Sequence, residues 1–335
     1  MKAVTLPEYN TNIVRALRSL EVKDKEIPQP SGNQVLIRMK SAPCNPSDIA
    51  FMLGNYNVTR ELPAVPGFEA SGEVVDAGYM REARDLISNR VCCFLQEPSE
   101  DGTWAEYFVT DWKNCIEIRN EMSDEEAATL CINPFTAYAL YTLVLRKDCR
   151  SFIQNAASGQ IGRFLNNLAK ENGIEVINIV RKEERKEELA DEGFKNILNI
   201  NDDKFQENLH KLALELDARI AFDAVGGELS GSIFNAMPSN SELVLYGGLS
   251  GQRLGNVKNM DLIFRNKTIT GFNLGDWKDE LGLDKYKEVA KEVQELVISG
   301  TLKSRVQGVY KLEEVQEGLR KYIKNMSAGK ILFKP

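Results

Sequence analysis

Apolar positions along this chain follow two different periods, and the change between them falls near residue 124. Before it, short alternating runs dominate. Gln34-Val-Leu-Ile-Arg-Met-Lys and Gly72-Glu-Val-Val-Asp-Ala read as strands, and Pro43, Pro46, Pro63 and Pro66 punctuate the loops between them. The opening residues Met1-Lys-Ala-Val-Thr predict a further strand. After residue 124 a helical spacing sets in, predicting helices over 125–131 and 136–145. Strand–helix units then repeat, with candidate strands at 151–155, 174–180, 196–200, 219–223 and 242–247. Such alternation predicts a parallel, doubly wound α/β sheet. Residues 284–300 and 312–325 are helical again, with Val289, Val293, Leu296 and Val297 on one stripe, and Gly329-Lys-Ile-Leu-Phe-Lys-Pro predicts a closing strand.

One unit of that series carries the chemistry. Ser151 to Asn155 predicts a strand, and Ile161, Phe164, Leu165, Leu168 and Ala169 form one helical stripe that Gly173 ends. The helix directs its unpaired N–H groups at the turn before it, where a dinucleotide pyrophosphate binds. Ala157, Gly159 and Gly162 fit G-x-G-x-x-G with alanine in the first slot. Ser158, Gly159, Gln160, Ile161 and Gly162 are therefore the candidate cradle, and Gly247 is grouped with them. An NAD site wants an acid at the end of the next strand, for the ribose hydroxyls. Here Val180 is followed by Arg181 and Lys182, cations suited to a 2′-phosphate, so the expected cofactor is NADPH. A solvated charge cluster is the competing reading, because Lys182 to Glu188 is a mixed-sign helix start with Glu183 close by.

At 335 residues, two domains are the default. A net charge of −7 argues against nucleic acid as a partner. No apolar run approaches the ~18 residues of a spanning helix, so no membrane partner is expected either. The N-terminus lacks the pattern of a signal or transit peptide, and a cytoplasmic location is expected. Cys44, Cys92, Cys93, Cys115, Cys131 and Cys149 are scattered without a C-x-x-C pair, so free thiols and no zinc site are expected. The single histidine, His210, reads as a helix-flank residue, and a histidine relay or a Ser-His-Asp triad would each rest on it alone.

Eight motifs in order then resemble one family. They are Asn45-Pro-Ser-Asp, Gly54-Asn-Tyr, Pro63-Ala-Val-Pro-Gly-Phe-Glu-Ala-Ser-Gly, Gly102-Thr-Trp-Ala-Glu-Tyr, Asn133-Pro-Phe-Thr-Ala, Ala156-Ala-Ser-Gly-Gln-Ile-Gly, Phe222-Asp-Ala-Val-Gly-Gly and Gly271-Phe-Asn-Leu-Gly-Asp-Trp. The chain resembles the medium-chain dehydrogenase/reductases, in their zinc-free branch of quinone oxidoreductases and 2-enoyl thioester reductases. The resemblance implies a GroES-like β-barrel catalytic domain over 1–125, a Rossmann NADP-binding domain over 126–275, and a return to the first domain over 276–335.

The zinc alcohol dehydrogenases share that fold but place a cysteine and a histidine where this chain has Asn45 and Phe68. An amide and a phenyl ring cannot form a thiolate–imidazole zinc site. The resemblance implies Tyr56 as hydrogen-bond and proton donor, with Asn45 orienting a substrate carbonyl or the nicotinamide ribose and Thr136 beside the nicotinamide. Asp48 reads as a helix cap. Phe272 and Trp277 are candidates for an apolar channel. The implied reaction is NADPH-dependent reduction of an enone, a quinone or a 2-enoyl thioester, with a small apolar carbonyl-conjugated substrate. A quinone reductase with no tyrosine proton donor, or a low-turnover NADPH-binding sensor or structural protein, are the alternatives. The run Lys267-Thr-Ile-Thr-Gly-Phe-Asn-Leu reads as the last strand of the Rossmann sheet, and the resemblance implies that it pairs across a homodimer.

Overall fold

Alternation in the first third of the chain becomes seven strands: β1 (Lys2–Thr5), β2 (Glu21–Asp24), β3 (Gln34–Pro43), β4 (Glu69–Ala77), β5 (Arg90–Phe94), β6 (Tyr107–Asp111) and β7 (Cys115–Glu117). This is a computed structural model, and it describes residues 1–96 and 101–335. The strand–helix series supplies β8 (Ser151–Gln154), β9 (Glu175–Val180), β10 (Ile197–Asn199), β11 (Ile220–Asp223), β12 (Glu242–Leu245) and β13 (Thr268–Gly271). Two late strands complete the set, β14 (Val306–Lys311) and β15 (Lys330–Lys334).

The strands belong to two compact units, one of residues 1–135 with 281–335 and one of residues 136–280. In the first, β1 pairs β2, and a larger sheet runs β14-β15-β3-β4-β5-β7 with β6 also on β3. Within it β3 is antiparallel to β4, β6 and β15. The pairing of Leu332 with Pro43 and of Phe333 with Ala42 brings the chain's last strand alongside the end of β3. That register positions the site described below. Helices Ile13–Ser19, Pro46–Met52 and Arg81–Arg84 also occur in this unit, in a stretch that alternation read as strands and turns. They are too short to show a helical period. Pro46 at the first helical position and the Asp48 carboxylate accepting from Asn45 N–H start the second of them.

The second unit is a six-stranded parallel sheet in the order β10-β9-β8-β11-β12-β13. This is the order of a Rossmann sheet, with its switch point between β8 and β11. Ile153, Ile177, Ala221 and Leu243 from the strands pack with Leu209 and Phe234 from the helices. Continuous apolar runs such as Val176 to Val180 are what a sheet covered on both faces requires. The expected strand over 267–274 is shorter, because Asn273 Oδ1 accepts from Gly275 N–H and Asp276 N–H and opens helix Leu274–Leu281. Among the described residues no helix is long and apolar enough to cross a membrane.

Candidate active site

In the first unit, a buried wall gathers around the end of β3. Cys44 N–H donates to the Ile331 carbonyl of β15. This continues the antiparallel register and sets Lys330 beside Asn45. Lys330 is 2% exposed, and its ammonium donates to Asn45 Oδ1. Asn45 Nδ2 donates to Glu69 Oε2 at 3.1 Å, and Asn45 N–H to Asp48 Oδ2 at 2.6 Å. Glu69 Oε1 accepts from Ile132 N–H at 2.8 Å, one residue before helix Asn133–Arg146. Asn45 therefore spends its carbonyl and one amide proton inside the protein. It is a tie between Lys330 and Glu69.

Two buried carboxyls next to one buried ammonium set the electrostatics. Burial pushes Asp48 up to about 7, against the Asn45 N–H and the Lys330 and Arg60 charges that pull it down. Burial likewise pushes Glu69 up to about 7, against Lys330, the Ile132 N–H and the Asn45 amide, while Asp48 adds to the rise. Lys330 is lowered by burial and held up by Glu69, Cys44 and Asp48. Carboxyls and an ammonium packed against one another in this way are how buried charges persist.

Tyr56 lies in the turn after helix Pro46–Met52 and is half-buried. Its ring sits 5.0 Å from that of Phe68, which in turn meets Phe51 edge-on at 5.5 Å. The Arg60 guanidinium covers both, 5.2 Å from Phe51 and 4.9 Å from Phe68. Burial raises the Tyr56 phenol, the Asp48 charge adds to this, and a hydrogen bond with Gln96 partly offsets it. The phenol stays protonated at neutral pH, as a donor must. Phe68 is fully buried in this aromatic stack.

A zinc site does not fit these residues. Asn45 Oδ1 already takes an ammonium, Phe68 has no donor atom, and among the described residues no group of three or more His, Cys, Asp or Glu side chains is placed to hold a metal. Cys44, Cys92, Cys93, Cys115 and Cys131 are buried and form no disulfide. His210 lies exposed on helix Phe205–Glu215 with Nδ1 3.0 Å from the Ala236 carbonyl.

The second unit holds the glycine turn. Ser158 and Gly159 join β8 to helix Gln160–Glu171, which starts at Gly159 and has no acid in its first turn. A Cβ on Gly162 would lie 2.5 Å from the Ala157 carbonyl oxygen, so only glycine lets the helix pack this close to the turn. Arg163 Nε donates to the Ser158 carbonyl at 3.1 Å, and its guanidinium pairs with Glu188 at 2.7 Å and with Glu192. The turn is thus braced from behind, and it meets the positive end of the helix, the polarity that suits an anion. Gly247 follows β12, where a Cβ would lie 2.8 Å from the Ala224 carbonyl oxygen. Arg181 and Lys182 are exposed at the end of β9. Thr136 is 6% exposed in the first turn of helix Asn133–Arg146. Phe272 and Trp277 are half-buried.

Sequence reading passed over Lys330, Glu69 and Gln96. Lys330 had a visible signal, a lysine opening the apolar run Ile331-Leu332-Phe333, and Glu69 likewise interrupts an apolar stretch. Gln96 gave none.

Comparison with known proteins bears on both units. Residues 31–120 match the family described as alcohol dehydrogenase GroES-like domain, and residues 161–295 the family described as zinc-binding dehydrogenase. Mitochondrial enoyl-[acyl-carrier-protein] reductase from Bos taurus is 31% identical over 84% of this chain and 76% of its own. The Homo sapiens protein of the same name is 28% identical over 93% and 83%. The solved structure of a putative NADPH:quinone reductase from Mesorhizobium loti superposes with a TM-score of 0.92 at 31% identity, covering 100% of this chain and 98% of that one.

Proposed function

The chain belongs to the medium-chain dehydrogenase/reductases, in their quinone and enoyl reductase branch, and on that premise we propose that this oxidoreductase uses NADPH to reduce a carbonyl-conjugated double bond without a metal. The observation that carries the reading is the Tyr56 phenol. It lies half-buried against Phe68, the residue standing where the zinc enzymes have a ligand, and is protonated at neutral pH. Ser158 to Gly162 and Gly247 would hold the pyrophosphate side of the cofactor, Arg181 and Lys182 would meet its 2′-phosphate, and Thr136 would stand beside its nicotinamide. When bound, the reduced nicotinamide supplies a hydride for the β-carbon of the substrate.

The protein's own part follows from charge. As the β-carbon accepts hydride, negative charge collects on the conjugated carbonyl oxygen. Tyr56 donates a hydrogen bond to that oxygen, where a preorganised donor acts most strongly. Its proton then balances the hydride, adding to the α-carbon. Lys330, Asn45 and Glu69 fix the wall around it. Phe68 and Phe51 back the Tyr56 ring with an apolar wall, which suits a small apolar substrate.

The test is NADPH consumption against an enoyl thioester, an enone and a quinone. Turnover of the first two by wild type and its loss in Tyr56→Phe supports the reading. Turnover of the quinone alone, insensitive to Tyr56→Phe, favours the quinone reductase, which likeness to the Mesorhizobium loti structure makes the second choice. NADPH binding with no turnover would leave a sensor.

The same reading includes a homodimer. β13 pairs only β12 among the described residues, so its outer edge is open. Met260, Ile263 and Phe264 stand 60, 64 and 77% exposed on the short helix just before it. An open edge beside exposed apolar side chains is what a second copy covers.

A further inference from the structure

β10 lies parallel to β9 with Asn199 opposite Val180, the last residue of β9. That register places Asn199 behind the segment that reads the adenosine ribose. Asn199 is 5% exposed, and both ends of its amide are fixed. Its Oδ1 accepts from Asn201 N–H at 3.1 Å, and its Nδ2 donates to Glu183 Oε2 at 2.9 Å. Lys186 Nζ stands 3.4 Å from Glu183 Oε1 and 3.7 Å from Asp202 Oδ2. Asn201 Nδ2 donates to the Arg181 carbonyl at 2.7 Å. Two asparagines therefore grip this segment at two points, one on the Arg181 backbone and one on the Glu183 carboxylate.

Glu183 is the acid nearest the end of β9, where a carboxylate on the ribose hydroxyls would favour the unphosphorylated cofactor. It would also repel a 2′-phosphate. The Asn199 amide, with Lys186 behind it, holds this carboxylate below its ordinary range and ionised. We propose that Asn199 is a cofactor-selectivity residue: by holding Glu183 against β10 it withdraws the acid from the ribose and leaves Arg181 and Lys182 to meet a 2′-phosphate. The proposal rests on the NADPH reading above and acts in the same site, through Glu183 rather than by touching the cofactor.

The experiment is calorimetric binding of NADPH and NADH, with adenosine 2′,5′-bisphosphate and adenosine 5′-monophosphate as half-cofactor probes. Wild type is expected to favour the phosphorylated member of each pair by at least ~10-fold. In Asn199→Ala that preference should drop ~3- to 10-fold, mainly through tighter binding of the unphosphorylated member, as one charge-assisted contact is regained. Adding Glu183→Gln to Asn199→Ala should restore the preference, because the released acid is gone. Lys186→Ala, at a solvent-accessible position, should move the preference the same way and carries the test if Asn199→Ala fails to fold. An unchanged preference in a folded Asn199→Ala, or no recovery with Glu183→Gln, would overturn the proposal. A wild type with equal affinities would instead refute the NADPH reading. The gain in affinity for the unphosphorylated probes in Asn199→Ala would still decide the role of Asn199.

Discussion

Tyr56 and the charged cluster behind it are separable at the scale of single residues. Tyr56→Phe removes one donor atom and little volume, leaving the ring on Phe68. It should lower kcat on an enoyl thioester ~100-fold with NADPH affinity unchanged, as steady-state rates and cofactor titration will show. Asp48 makes a different prediction. Its carboxyl, ordinarily near 3.8, is pushed up to about 7 in the folded chain. Between those values the native state holds more protons than the unfolded one, so this group's contribution to stability is present at low pH and is lost as pH rises towards about 7. Asp48→Asn keeps an oxygen for the Asn45 N–H and removes the titration. Thermal melts across that window should show a shallower decline of Tm with rising pH in the variant than in wild type.

At the scale of elements, the glycine turn and its helix are what the pattern read most directly. The stripe of Ile161, Phe164, Leu165, Leu168 and Ala169 lies within the observed helix Gln160–Glu171, and β8 and β9 flank it as expected. Gly162→Ala should force this helix off the turn, since the new methyl meets Ala157 backbone atoms at 2.5 to 2.8 Å. Overpacking of that kind costs ~1–3 kcal/mol, and denaturant melts together with a ~10-fold weaker NADPH Kd would register it. Periodicity was legible here because each element is long and packs on one face. The helices Ile13–Ser19, Pro46–Met52 and Arg81–Arg84 were not legible, because two turns or fewer leave no period to count. The site divides the same way. Asn45, Tyr56 and the cradle residues stand in local motifs. Lys330 reaches Asn45 only through the pairing of β15 with β3, and Asn199 reaches Glu183 only through the pairing of β10 with β9. Contacts made by sheet register are invisible to a reading that moves along the chain.

At the scale of the whole molecule, the open edge of β13 and the exposed Phe264 predict assembly. Light scattering at micromolar concentration should give a dimer, and Phe264→Asp, altering a side chain that is 77% exposed, should give a folded monomer. A monomeric wild type would remove the interface. The proposed reaction delivers hydride to a conjugated carbon with a tyrosine in place of a metal. It is tested most directly by giving chelator-treated protein an enoyl thioester and NADPH deuterated at the transferred position. One deuterium at the product's β-carbon, one solvent-derived proton at its α-carbon and a rate that chelation leaves unchanged are expected. Product without deuterium at the β-carbon, or activity lost with the metal and restored by adding zinc, would contradict it.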